Sequence, residues 1–407
     1  MSIYNGPSIY NFFGGESFVE EIFFANSEVP ASTLRFSFGD PNYDPTKDTT
    51  VASRHDTSDR AGGGTPAGYG GTWNKLSTKF ANIWDYTYTD NTLLNEFDNG
   101  NYSYEATPAT RFWNDVEHNP IKIIASNTAG CESFKRAFQG CWAITEVWNL
   151  DMSDVSSTAL MFSYCKNLVK VPDVIDCTNA TEVHSMFQHC WNLPFINQIV
   201  LPDTTEESLN AQNMIYRCES LVEIKEPLNF KSITSMQNTF VACINLSKLT
   251  LLNTNRVANF DHAFSACKEL PYSVISSIDT SSATKTNSMF NGDAVHSLFA
   301  YHVIMKNITE IPAFDLSSVT SAANMFNSCD IKAIDSTKLA TLTGSVNVNA
   351  MFSNNRNCES GILDAYAVLD AVDNDHTNCF LNCGIDTDEG RAELEQIPAS
   401  WGGLLEE

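Results

Sequence analysis

From residue 130 onward one short, mostly apolar word recurs along the chain: AFQGC, MFSYC, MFQHC, MIYRC, TFVAC, AFSAC, MFNGD, MFNSC, MFSNN and CFLNC. Its second position is Phe138, Phe162, Phe187, Ile215, Phe240, Phe264, Phe290, Phe326, Phe352 and Phe380, at intervals of 24, 25, 28, 25, 24, 26, 36, 26 and 28 residues. A fixed period in this range marks a solenoid. After the word comes an apolar ladder of period three, as in Ile144, Val147, Leu150 or Leu246, Leu249, Leu252, which reads as a short strand. Before it stands a polar segment such as LDMSDVSSTALMF or IDTSSATKTNSMF. Asp, Ser and Thr accept hydrogen bonds from the free N–H groups of a first helical turn, so this segment predicts a helix start. In FDLSSVTSAANMFNSC, Val319, Ala322, Phe326 and Cys329 then share one helical face. The expected rung is a short strand, a turn and a short helix. Stacked, the rungs give an α/β repeat solenoid over residues 129–385, closed by a cap over 386–407.

A single rung cannot bury its own apolar face, but neighbours bury each other's. Each supplies an aromatic and two or three aliphatics, worth roughly 1.5 to 3 kcal/mol apiece when fully buried. The expected core ladder is Phe138, Phe162, Phe187, Phe240, Phe264, Phe290, Phe326 and Phe352. Beside it runs a ladder of Cys141, Cys165, Cys190, Cys218, Cys243, Cys267, Cys329 and Cys383. Twelve cysteines admit metal, redox, disulfide or packing roles. Eight fall on one repeat position and point the same way, which suits packing and not the crossed geometry of a disulfide. Zinc would need close pairs, and only Cys379 with Cys383 approaches that. His184 and His189 beside Cys190 suggest a Cys–His nucleophile, yet they sit in a repeat word whose other copies carry no histidine. The acidic groups Asp373, Asp375, Asp386, Asp388 and Glu389 resemble fragments of a calcium loop, without its glycine and distal glutamate at the required offsets. No GxSxG, HExxH or GxxxxGK[ST] word occurs, so no catalytic residue and no cofactor is expected.

The pattern MFxxCxxLxxIP with a preceding acidic and Ser/Thr segment, as in MFSYCKNLVKVP (Met161 to Pro172), resembles the BspA-like leucine-rich repeats of bacterial surface proteins. The resemblance covers roughly residues 130 to 385 and implies a non-enzymatic adhesin built as a curved stack of leucine-rich-repeat-like rungs. Phage virion proteins of gut bacteria are one setting in which such repeats are expected. The words MFNGD and MFSNN depart from the pattern, as does the 36-residue interval containing AVHSLFAYHVIMK, where an interruption of the stack is expected. The exposed strand position before the second buried aliphatic of each ladder gives Glu146, Lys170, Phe195, Glu223, Lys248 and Glu310. These line one face of the stack and are the candidate binding face, or else a solvated sheet surface.

Residues 1–128 change character, with Gly, Asn, Asp, Thr and aromatics in place of phased aliphatics. SFVEEIFFA (Ser17 to Ala25), TLRFSFGD and IKIIAS read as strands, and TKFANIWDYTYTDNTLLNEF (Thr78 to Phe97) as holding a helix. Residues 16–128 are expected to form a mixed or β-rich anchoring and capping domain, with a flexible Gly-rich loop at 61–71. The first 15 residues, MSIYNGPSIYNFFGG, lack the basic region and unbroken apolar core of a signal peptide. Tyr4, Tyr10, Phe12 and Phe13 there read as a docking arm, because aromatics bury much area at little entropic cost.

The charge sharpens the picture of partners. Twenty-four basic against 49 acidic residues give −25, which repels nucleic acid and anionic lipid alike. No apolar run is long enough to span a bilayer, so membrane insertion is not expected. The expectation is a phage head fibre, tail fibre or capsid or collar decoration on the virion surface. Its arm would meet other virion proteins, it would form a homodimer or homotrimer, and its repeats would attach to a host surface protein or glycan. The alternative is a cellular leucine-rich-repeat interaction or adhesion protein.

Overall fold

A computed structural model describes residues 15–47, 72–77, 79, 81–87, 120–206, 208–296, 299–372 and 374–405. The chain divides into two compact units, one reaching to Ala180 and including Cys190–Leu193, the other comprising Thr181–His189 and the chain from Pro194 onward. The docking-arm residues Tyr4, Tyr10, Phe12 and Phe13, and the Gly-rich loop, lie outside the described residues.

The first unit opens with helix α1 (Gly15–Ala25) and strand β1 (Thr33–Phe38), followed by β2 (Thr72–Ser77), β3 (Asn82–Thr87) and β4 (Ile121–Asn127). With β5 (Ile144–Val147) these make a five-stranded sheet in the order β2-β3-β1-β4-β5. β1 is antiparallel to β3 and β4, whereas β4 runs parallel to β5, the strand of the first repeat. The amino-terminal sheet thus ends on the first rung, whose open edge it covers. Two sequence expectations are corrected here. Ser17 to Ala25 is helical: Phe18, Val19, Ile22 and Phe23 recur at one-turn spacing, and Glu20 and Glu21 between them turn inward. The described part of Thr78 to Phe97 holds strand β3 and no helix, because NIWDYT is rich in β-formers and lies buried between β1 and β2.

Both units carry solenoid rungs that pair in parallel. In the second unit one polar register position runs through Asn210, Ser235, Asn259, Lys285, Ser321, Asn347 and Asp375. The aromatic side chains stack beneath it, with ring centres 5.3 Å apart for Phe240–Phe264 and 5.8 Å for Phe264–Phe290, then 5.9, 5.8 and 5.8 Å on to Phe326, Phe352 and Phe380. The first unit repeats this with Phe138–Phe162 at 5.4 Å. The stack closes on buried Trp401, which lies 6.2 Å from Phe380 and 4.0 Å from His376. The interruption expected at the 36-residue interval does not occur: the ladder passes straight from Phe290 to Phe326, and the extra residues form a hairpin, Asp293–His296 with Phe299–His302.

The solenoid is observed, but its repeat word is not a helix. In nearly every copy the residues two before and two after the aromatic have positive φ, as at Leu160 and Tyr164, Asn238 and Ala242, or Asn324 and Ser328. A left-handed residue every fourth position cannot continue a right-handed helix. The word is instead a run of tight turns: Thr239 N–H donates to Met236 O at 3.0 Å and Cys243 N–H to Phe240 O at 3.1 Å. Alternate N–H groups then reach the next rung, Asn238 to Asp261 O, Phe240 to Ala263 O and Ala242 to Ser265 O, at 2.8–2.9 Å. The polar residues read as helix caps close Asx turns. Asn259 Oδ1 accepts from Asp261 N–H at 2.9 Å, and Asp315 Oδ1 from Ser317 N–H at 2.9 Å.

Candidate functional site

The period places the eighth residue after the second position of the word, at Glu146, Lys170, Phe195, Glu223 and Lys248, where the chain pairs with its neighbouring rung, and the candidate face is built from these with Glu310. In the first unit Glu146 pairs with Lys122 on one side and Lys170 on the other. The Lys122 ammonium lies 3.7 Å from Glu146 and 2.9 Å from Glu21. Trp148 donates its Nε1–H to Glu146 at 2.5 Å, and its ring lies between Lys122 and Lys170, at 5.7 and 4.9 Å. In the second unit Phe195 pairs with Glu223 and Glu223 with Lys248, whose ammonium is 3.6 Å from the Glu223 carboxylate. Phe195 stands 47% exposed beside this pair. Glu310, exposed, hydrogen-bonds Tyr272; burial and then this carboxylate push the Tyr272 phenol up to about 12. The six predicted residues therefore fall into two sets, Glu146 with Lys170 and Phe195 with Glu223 and Lys248, while Glu310 meets Tyr272, which the sequence reading passed over.

A second outward stack escaped that reading. Lys166 lies between two indoles, 3.9 Å from the Trp142 ring centre and 4.6 Å from that of Trp191. All three occupy the residue after the cysteine, in AFQGCW, MFSYCK and MFQHCW, so the same period would have revealed them. Cation–π contact of this kind contributes about 0.5–1 kcal/mol at exposed sites.

The core ladder is wholly interior. Phe138, Phe162, Phe187, Phe240, Phe264, Phe290, Phe326 and Phe352 are buried, and so are all twelve cysteines, none of them in a disulfide. The thiols do more than fill space: Cys165 donates to Phe138 O at 3.0 Å, Cys190 to Phe162 O at 3.1 Å, Cys218 to Phe187 O at 3.2 Å, Cys243 to Ile215 O at 3.0 Å and Cys267 to Phe240 O at 2.9 Å. Cys329 reaches Phe290 O at 3.5 Å. Where MFSNN lacks cysteine, Asn355 Nδ2 donates to Phe326 O at 2.8 Å instead. Burial pushes the Cys243 and Cys379 thiols up to about 12, which withholds the thiolate needed for nucleophilic or metal chemistry near neutrality.

The remaining candidates are engaged elsewhere. His189 is buried, edge-on to Tyr216 at 5.3 Å. Asp386 forms a paired contact with Arg356 at 2.7 and 2.8 Å, which lowers its carboxyl below the ordinary value. Asp388 and Glu389 open a short helix capped by Thr387, and Asp375 accepts from Asn349 Nδ2 at 2.9 Å. Asp373 lies outside the described residues. Among the described residues no group of three or more His, Cys, Asp or Glu side chains is placed to hold a metal ion, and no helix is long and apolar enough to cross a membrane.

A family model described as "Mycoplasma protein of unknown function, DUF285" matches residues 132–248 and 234–366, together more than half of the chain. No curated protein and no solved structure matches.

Proposed function

Because the chain belongs to the DUF285 family, we propose that it is a binding protein of BspA-like, leucine-rich-repeat type. In this reading it is carried on a phage virion as a head fibre, tail fibre or capsid or collar decoration. The amino-terminal part anchors it to other virion proteins, and the repeats present their outward ladder to a host surface protein or glycan. The protein assembles as a homodimer or homotrimer and performs no catalytic step. The observation that supports this reading best is the outward register position of the second unit, where Phe195, Glu223 and Lys248 follow on successive strands and leave an aromatic in solvent. Continuous faces of this kind are what repeat stacks use for recognition.

Two measurements test it. Removing residues 2–14 should abolish incorporation into purified particles, and full incorporation would defeat the anchoring part. Substituting Phe195→Ala with Lys248→Ala should reduce adsorption of those particles to host cells, and unchanged adsorption would defeat the binding face. The second reading, a cellular repeat protein, draws on the family description, which names Mycoplasma. Capsid, portal or tail genes flanking this one would decide against it.

A further inference from the structure

Helix α1 has its polarity reversed. Glu21 is buried, with Oε1 accepting from Ser37 Oγ at 2.6 Å and Oε2 facing Lys122 at 2.9 Å. Glu20 accepts from Ala81 N–H at 2.6 Å and from Ser77 Oγ. The two carboxylates are thus consumed by the sheet beneath. On the opposite side Phe18, Val19, Ile22 and Phe23 stand 41, 54, 41 and 66% exposed. Ordinary surface helices bury the apolar stripe and expose the acids, so this arrangement is informative in the way that a lone exposed leucine is not.

We propose that this face is the contact between two copies of the chain, made by antiparallel packing of two α1 helices across a two-fold axis. The proposal deepens the homo-oligomeric part of the reading above and does not depend on the virion. Three observations favour a second copy as the occupant. First, the four residues are symmetric about the midpoint of Glu20 and Glu21, so an antiparallel dyad sets Phe18 against the partner's Phe23 and Val19 against the partner's Ile22, as an isologous contact requires. Second, the chain carries −25, so two copies meet most readily where carboxylates are withdrawn, and Glu20 and Glu21 of this helix are turned inward. Third, the helix has no basic residue in its last turn, which removes the attraction an interfacial helix needs for anionic lipid.

The size sets the strength. Two such patches remove on the order of 700 Å² from water, short of the roughly 1,000 Å² of a free-standing interface. Trp148, edge-on to Phe18 at 6.1 Å, extends the face, and the contact is a weak, reversible dimer.

Sedimentation velocity on the full chain from about 1 to 200 μM should show a concentration-dependent dimer, the behaviour of an interface below standard size. Phe23→Glu should weaken it by about tenfold or more, the loss typical of a central aromatic anchor. Because Phe23 is exposed in the folded chain, thermal unfolding should be unchanged by that substitution. Orientation is read by oxidation: a mixture of Val19→Cys and Ile22→Cys chains should crosslink, while neither alone does, the native thiols being buried. A monomer at every concentration would overturn the proposal, as would a dimer indifferent to Phe23→Glu or crosslinking of each single variant with itself. Flotation with vesicles that is lost in Phe23→Glu would assign the face to a membrane and overturn it too. Particle incorporation enters none of these outcomes, so the virion reading stands or falls apart from them.

Discussion

At the centre of a rung, Phe240 O accepts two hydrogen bonds, from Cys243 N–H in its own turn at 3.1 Å and from the Cys267 thiol of the following rung at 2.9 Å. Cysteine suits that second site because it is small, apolar in bulk and still a weak donor. Asn355 meets the same demand with more bonds: Nδ2 reaches Phe326 O at 2.8 Å and Phe352 O at 2.9 Å, and Oδ1 accepts from Ile331 N–H at 3.2 Å. Asn355→Ala strands three buried backbone groups and is expected to cost about 3 kcal/mol, against about 1 kcal/mol for Cys267→Ala, after which Phe240 O still accepts from Cys243 N–H. Asn355→Cys should fall nearer the smaller figure. Urea unfolding of the three variants checks the order, and equal losses for Asn355→Ala and Cys267→Ala would refute it. The sequence marks Cys267 and its counterparts as one ladder but not as donors, since a small buried thiol looks alike in both roles. The left-handed residues are less legible still. Asn238 and Asn324 suit positive φ, whereas nothing about Leu160, Tyr164 or Arg217 announces it; Arg217 N–H is held by Val241 O of the next rung at 2.8 Å, and the first rung bonds Ala159 O and Ser163 O beside Leu160 and Tyr164.

Elements were legible where a single period dominates. TLRFSF and IKIIAS form β1 and β4 because both are runs of β-formers buried in the sheet. Helix α1 was not, because its apolar residues come in adjacent pairs that suit either period, and Glu20 and Glu21 face the interior, against the usual pattern. Arg35 is the group that fastens α1 to β1 and β3. Its Nε and Nη2 donate to Asp85 at 2.6 and 2.8 Å, and its remaining N–H groups reach Phe24 O, Ser27 Oγ and Glu28 O at 2.7, 2.8 and 3.1 Å. Both side chains are 3% exposed. Arg35→Met leaves Asp85 as an unpaired interior charge and should destabilise the first unit by about 3–5 kcal/mol, while adding Asp85→Leu should recover most of that loss. Calorimetric unfolding of the single and double variants checks this, and a double variant no more stable than Arg35→Met would contradict it.

Over the whole molecule the period was the most legible feature, because stacking forces equivalent residues into equivalent places, and its one irregularity was misjudged. Between Phe290 and Phe326 the sequence shows only a long interval. The structure shows its ends brought together, with Val303 N–H donating to Gly292 O at 3.1 Å and Met305 pairing with Cys329 just beyond. Gly292 is required at that closure, since a Cβ there would lie 2.1 Å from Val303 O and 2.7 Å from Ser328 O. The hairpin of Asp293–His296 with Phe299–His302 is therefore an excursion from a rung that is complete without residues 293–302. Deleting those residues and joining Gly292 to Val303 shortens the interval from 36 to 26 residues, equal to the spacing of the rungs on either side. Closing a shorter loop costs little, so stability is expected to change by no more than about 1 kcal/mol. Thermal unfolding of the shortened chain should remain cooperative with a nearly unchanged midpoint. Loss of cooperativity would mean that the hairpin itself carries the stack across the long interval, and that the aromatic ladder from Phe290 to Phe326 cannot hold without it.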